Sequence, residues 1–298
     1  MNYQKWIDKV PSLKGKRYIV LGPTSGIGKE LVLSLAKLNA HLVLGCRDLK
    51  KASILYEEIK KINSFIEVDY FLYDQSSFES IDSFCQSIKK RYTRIDGIVF
   101  NAGVYYAKED YKTIDGFDLV LQTNYFGPYY CFYKLKDLLI NSFSRIVFVS
   151  SIAINKAKSM NIETYNSIKR KRMYEASKLF VSQFMVELEK EYKQCSFRLV
   201  HPGITSTNIL YKDKTGAINL LSLLYHKFLY LFVHKAKKAS LVLLKGLIDE
   251  NENHYIVPRF LSITGFPRNR KIPSFLNKNI IEKTNVILKG VINESSSS

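Results

Sequence analysis

The chain has 298 residues, 46% of them hydrophobic and 24% charged, which excludes a disordered chain and supplies enough apolar material for one large core. Forty-five Lys and Arg against 27 Asp and Glu give a formal charge of +18, concentrated in the second half around Lys169–Arg172, Lys235–Lys238 and Arg268–Lys271. Cys46, Cys85, Cys131 and Cys195 lie far apart with no C-x-x-C, which argues against a zinc site or a disulfide framework and for a reducing compartment.

Met1 to Lys16 is polar and has no apolar core, so no signal peptide is expected. Arg17 to Leu21 is a short apolar run of the kind that forms a buried strand. Gly22-Pro23-Thr24-Ser25-Gly26-Ile27-Gly28 follows, and an apolar-periodic helix is predicted from about Ile27 to Leu38. His41 to Cys46 is the second strand, and Asp48 to Ile62 a helix with Asp48 as its cap. Phe65 to Tyr73 is the third strand, ending at Asp74, and Phe78 to Tyr92 the next helix. Ile95 to Phe100 is the fourth strand, ending in Asn101-Ala102-Gly103. Phe117 to Ile140 reads as a long helix bent near Gly127-Pro128. Arg145 to Ser150 is the fifth strand, Tyr174 to Tyr192 a helix, and Phe197 to Val200 the sixth strand, closed by Pro202-Gly203.

Strand and helix alternate with no hairpin signal. The pattern predicts an α/β fold, a doubly wound parallel sheet of the Rossmann type with helices on both faces. A single domain spanning 1–298 is expected, with a core at about 15–260, a lid at about 204–235 and a tail at about 261–298. The lid assignment rests on Ile218 to Val233, rich in Leu, Tyr and Phe, which follows the sixth strand on the ligand side of such a sheet. A large apolar insertion there suits an apolar substrate. Its second role would be peripheral membrane contact through 218–238, where Lys227, Lys235, Lys237 and Lys238 flank the apolar residues. No run of about 18 uninterrupted apolar residues predicts a spanning helix, so a cytoplasmic location, with or without peripheral contact, is expected.

Two stretches carry chemistry. Gly22, Gly26 and Gly28 stand between a strand and a helix, where backbone can approach a pyrophosphate and the helix N-terminus offers N–H groups to it. The second strand ends at Arg47, where an acid would bond a ribose 2′-hydroxyl; a guanidinium there suits a 2′-phosphate, which predicts NADP(H) over NAD(H). The other stretch is Tyr174-Glu175-Ala176-Ser177-Lys178. A tyrosine and a lysine four apart share a helix face, and an ammonium beside a phenol favours the phenolate, giving a group able to exchange a proton with a carbonyl or alcohol oxygen. Tyr165-Asn166-Ser167-Ile168-Lys169 has the same spacing, so spacing alone leaves both copies open.

Taken together, these residues resemble the short-chain dehydrogenase/reductase family over 17 to about 260, and within it the retinol-dehydrogenase-like branch. Gly22, Gly26 and Gly28 match the family's T-G-x-x-x-G-x-G loop, with Leu21 in place of the threonine. Thr24, Ser25 and Ile27 fall inside that loop. Asp74 matches the acid that contacts adenine, and Asn101-Ala102-Gly103 matches N-N-A-G with Phe100 at the first position. Asn124 matches the helix asparagine, Ser151 the catalytic serine, and Pro202-Gly203 the loop flanking the nicotinamide. The resemblance favours Tyr174, since Lys178 leaves room for one helix and one strand before Pro202; Gly45-Cys46-Arg47-Asp48 and the long gap from Ser151 suit the retinol-dehydrogenase-like branch.

The resemblance implies roles. Tyr174 would be the acid or base, Lys178 would lower its pKa and bond the nicotinamide ribose, Ser151 would donate to the substrate oxygen, and Asn124 would hold a relay water. The expected function is an NADP(H)-dependent oxidoreductase interconverting carbonyl and alcohol on a retinoid-, steroid- or lipid-like small molecule. The alternative is a non-catalytic NADPH sensor or partner-binding protein of the same fold. Nucleic-acid binding is disfavoured, because the lysines are scattered and the aromatics follow core-like periods. Family members often pair through the helices at 117–140 and 174–192, which admits a homodimer.

Overall fold

The computed structural model describes residues 3–105, 112–203, 235–251 and 254–294. A short helix, α1 (Tyr3–Ile7), precedes β1 (Arg17–Leu21). Then come α2 (Gly26–Lys37), β2 (His41–Cys46), α3 (Leu49–Ile62), β3 (Val68–Leu72), α4 (Phe78–Arg91) and β4 (Gly97–Phe100). A turn at Leu119–Leu121 and a π-helical turn at Gln122–Phe126 lead into α5 (Gly127–Asn141) and β5 (Arg145–Val149). The second half holds α6 (Met173–Glu191), β6 (Ser196–Val200), α7 (Ala236–Ile248), β7 (Tyr255–Phe260), β8 (Thr264–Arg270) and α8 (Ile281–Glu294).

One eight-stranded sheet runs in the order β3-β2-β1-β4-β5-β6-β7-β8, parallel throughout except for the antiparallel β7–β8 pair. This is the expected doubly wound sheet. Strand order reverses between β1 and β4, so the crevice at their carboxyl ends is where such a sheet binds ligands. β1, β4, β5 and β6 are mainly apolar and almost wholly buried, as central parallel strands must be, with Arg198 of β6 buried among them. Helices α4, α5, α6 and α8 cover one face around Phe126, Phe132, Phe148, Phe180 and Phe184. α2, α3 and α7 cover the other around Val20, Leu35, Leu44 and Leu243.

Local chemistry sets the boundaries. Asp48 caps α3 as expected, accepting from the Lys51 N–H at 3.0 Å, and Ser77 caps α4 by accepting from Ser80 at 3.2 Å. α2 ends on Asn39 at φ 67°, with Asn39 N–H to Ala36 and Ala40 N–H to Leu35, both 3.1 Å. Two arginines close α7: half-buried Arg145 donates to the Leu247 carbonyl, and buried Arg198 to those of Asp249 and Asn251, each at 3.1 Å.

The structure departs from the sequence expectations at several places. β3 begins at Val68, and Phe65 before it is 96% exposed. The bend in the 117–140 helix is a π-helical turn just before Gly127. Residues 236–248 form a helix, and 255–270 form a hairpin that the sequence did not signal. The stretch placed in a tail at 261–298 contributes β8 and α8. The α8 turn docks on the helices named for pairing: Tyr125 bonds Thr284 at 2.5 Å, Tyr129 donates to Asn285 at 2.6 Å, and Glu187 accepts from the Ile280 and Ile281 N–H groups. The lid at 204–235, apart from Lys235, and most of the proposed membrane contact fall outside the described residues.

Candidate active site

The sheet's switch point is lined by the turns after β1 and β4. Gly22 sits at φ +75°, a conformation that costs a side-chain-bearing residue strain, and its N–H bonds the Gly45 carbonyl at 3.0 Å. A methyl group on Gly28 would lie 2.3 Å from the Gly22 carbonyl and 2.6 Å from the Asn101 amide nitrogen, so only glycine lets the loop close. Asn101 ties the two turns together by donating to the Gly22 carbonyl at 2.8 Å, and Ala102 N–H reaches Leu21 at 3.0 Å. Thr24, Ser25 and Ile27 complete the loop. Ser25 precedes α2 without capping it through its side chain, and the first turn of α2 carries no acid. A tight glycine turn opening on an uncapped helix start fits a dinucleotide pyrophosphate.

Arg47 is exposed at the end of β2, while its neighbour Asp48 is engaged with Lys51, ammonium to carboxylate, at 3.0 Å. Asp74 follows β3 and accepts from Ser76, N–H at 2.9 Å and hydroxyl at 2.6 Å. Pro202 is buried after β6, and Gly203 beside it lies at φ +91° against the Ile263 carbonyl.

The reacting groups converge from β5 and α6. Tyr174 and Lys178 stand one helical turn apart, with the Lys178 ammonium 5.9 Å from the centre of the Tyr174 ring. The Ser151 hydroxyl, which accepts from the Ala153 N–H at 3.2 Å, lies beside the Tyr174 hydroxyl. Burial pushes this phenol above its usual value of 10.0, the Ser151 hydroxyl pulls it down, and the nearby Tyr105 pushes it up. Tyr105 lies against Tyr174 with ring centres 4.7 Å apart. Desolvation dominates at Tyr174, and Lys178 is itself driven down from 10.5 to about 8 by burial. Its ammonium donates to the Val149 carbonyl at 2.8 Å.

Asn124 is 2% exposed within the π-helical turn. Its carbonyl oxygen accepts from Val104 N–H at 2.8 Å, and its amide donates to the Val104 carbonyl at 2.8 Å and to Ser177 at 3.0 Å. Both amide N–H groups are thus taken by protein partners. The competing pair separates: Tyr165 is half-buried, its ring edge-on to Phe126 with centres 5.9 Å apart, and Lys169 is exposed. Sequence reasoning missed Gln75, Val104, Tyr105 and Ser177. Gln75 bridges the site's foundations by donating to the Ala102 carbonyl at 3.2 Å and to the Thr123 carbonyl. Among the described residues no cluster of His, Cys, Asp or Glu has the make-up of a metal site.

The family model for short chain dehydrogenases matches residues 16–217. The chain belongs to the short-chain dehydrogenase family. Mouse (Mus musculus) retinol dehydrogenase 13 is 32% identical over 207 residues, 66% of this chain and 61% of that protein. The match therefore spans about three fifths of the relative's length. Levodione reductase superposes with a TM-score of 0.65 at 20% identity, covering 83% of this chain and 96% of the other. A metagenomic short-chain oxidoreductase in complex with NADP gives a TM-score of 0.59 at 22% identity, covering 82% and 96%. These likenesses agree with the Rossmann-type sheet and place the family member among retinol-dehydrogenase-like relatives. Among its described residues no helix is long and apolar enough to cross a membrane.

Proposed function

We propose that this short-chain dehydrogenase is an NADP(H)-dependent oxidoreductase that interconverts a carbonyl and an alcohol on an apolar, retinoid-, steroid- or lipid-like substrate. The observation that carries the proposal is the Ser151–Tyr174 hydroxyl pair, backed by buried Lys178, at the carboxyl edge beside the glycine turn.

In the reductive direction Tyr174 donates its hydroxyl proton to the substrate oxygen. A phenol held above its ordinary value is in its acid form at neutral pH, which suits that direction. Ser151 donates a second hydrogen bond to the same oxygen as charge grows on it. Lys178, titrating near 8, exchanges protons close to working pH and can resupply Tyr174. A bound reduced nicotinamide supplies the hydride. Gly22 to Gly28 would hold the pyrophosphate, Asp74 and the Asn101–Gly103 turn the adenine side, Pro202-Gly203 the nicotinamide side, and Arg47 the 2′-phosphate. One structural neighbour is a complex with NADP, and Arg47 is the feature of this chain that favours that cofactor. The apolar substrate is supported by the composition of 218–233 and by the names of the relatives, which are retinol dehydrogenases.

The test is a panel of aldehydes, ketones and alcohols of increasing chain length, each followed at the nicotinamide absorbance with NADPH, NADH and their oxidised forms. Turnover of long apolar carbonyls with NADPH is expected. Binding of NADPH without turnover of any member would favour the sensor alternative.

A further inference from the structure

Ser177 is fully buried on α6, between the proposed acid Tyr174 and the adjoining Lys178. Its hydroxyl donates to the Tyr174 carbonyl at 2.9 Å, which leaves its lone pairs as acceptors. The Asn124 amide donates to one of them at 3.0 Å. Asn124 in turn grips both backbone groups of Val104 at 2.8 Å. Three separate elements, α6, the π-helical turn and the loop after β4, are joined at one amide.

That amide also borders the lysine. A methyl group built on Gly103 would lie 3.1 Å from the Asn124 carbonyl oxygen and 3.6 Å from the Lys178 ammonium. The loop backbone, Asn124 and Lys178 therefore occupy neighbouring space. The orientation of Asn124 is forced, since its oxygen must face the Val104 N–H and its nitrogen the Val104 carbonyl. The second amide hydrogen then points at α6, and Ser177 meets it. An alanine there would leave a buried N–H unsatisfied, which drives a buried polar group to rearrange.

We propose that Ser177 is a positioning residue: it fixes the Asn124 amide and thereby sets the spacing between the Gly103–Val104 backbone and the Lys178 ammonium. The proposal rests on the oxidoreductase function put forward above. Ser177 touches neither substrate nor cofactor; it acts through Asn124 on the group that resupplies Tyr174.

The experiment compares the full-length chain with Ser177→Ala, Asn124→Ala and the double variant, using the best carbonyl substrate of the panel and NADPH. Ser177→Ala removes one atom and raises helix propensity, so the variant folds. The expected result is a fall in kcat of about tenfold, the effect of one lost hydrogen bond on a barrier. KM for the carbonyl substrate stays within about twofold, because no substrate contact is touched. The double variant is no slower than Asn124→Ala, because the two residues act as a unit. Unchanged kcat in Ser177→Ala, losses that add in the double variant, or a loss accounted for by a smaller folded fraction would each overturn the inference while the oxidoreductase function stood. An unmutated chain that turns over no carbonyl or alcohol removes that function and this inference with it.

Discussion

The Lys178 ammonium lies 2.8 Å from the Val149 carbonyl oxygen, at the end of β5, inside the protein. One neutral carbonyl is a meagre partner for a buried charge, and the lysine is accordingly held down at about 8. Between about 8 and its ordinary 10.5 the unfolded chain binds the proton that the folded chain has released. Lys178 therefore makes stability rise with pH across that window, and its cost is at full size below it.

Lys178→Met should consequently stabilise the protein at pH 7 by up to about 3 kcal/mol while abolishing turnover. The stability gap between the variant and the unmutated chain should shrink as pH climbs from 8 toward 10.5. Denaturant unfolding at pH 7 and pH 10 measures both. A variant less stable at pH 7 than the unmutated chain would show that the ammonium is stabilised where it sits.

Tyr174→Phe should lower kcat by about 10²- to 10⁴-fold, the usual worth of a positioned acid or base, and leave NADPH binding intact. Tyr165→Phe keeps the ring that meets Phe126 edge-on and should retain activity within about twofold. Steady-state rates with fluorescence titration of NADPH separate the two. The reverse pattern would move the chemistry to the other Y-x-x-x-K stretch.

What the sequence could reveal was what neighbouring residues decide together. Apolar runs located the parallel strands, glycine spacing located the turn after β1, and Asp48 announced a helix cap that the structure contains. What escaped depends on distant partners. β8 reads Thr-Gly-Phe-Pro-Arg-Asn-Arg, an edge strand with no apolar alternation. The hairpin tip places Leu261 and Ser262 at φ 49° and 61°, where Gly or Asn would have signalled a turn. The π-helical turn coincides with Gln75 reaching the Thr123 carbonyl from 48 residues away. Ser177 reads as filler between a tyrosine and a lysine, and only the fold sets Asn124 against it.

Glu187 holds the start of α8, accepting from Ile280 N–H at 2.6 Å and Ile281 N–H at 3.0 Å. Glu187→Ala leaves two first-turn donors without their acceptor and should cost roughly 1–3 kcal/mol locally. Hydrogen exchange should quicken over 280–288, and limited proteolysis should cut there first. Because α8 covers Tyr125 and Tyr129, its release bares an aromatic face on α5 and α6. Light scattering should then detect more self-association in the variant than in the unmutated chain. A dimer already present in the unmutated chain must use another surface, or displace α8.

Arg47 offers the sharpest check on the cofactor. It is exposed just past β2, and Asp48, the acid best placed to neutralise it, is spent on Lys51 and on the α3 cap. A guanidinium so placed can grip a 2′-phosphate through charge-assisted bonds, worth about 1.5–3 kcal/mol each, and has little to offer a 2′-hydroxyl. Arg47→Ala should therefore weaken NADPH binding by about tenfold or more and leave NADH nearly unchanged. The NADPH penalty should shrink with added salt, since an exposed pair is screened within about 8–10 Å at physiological ionic strength. Arg47→Asp should go further and invert the preference, because a carboxylate bonds the hydroxyl and repels the phosphate. If Arg47→Ala weakens both cofactors equally, the guanidinium serves the adenine or the loop, and the preference for NADP(H) has to come from another residue.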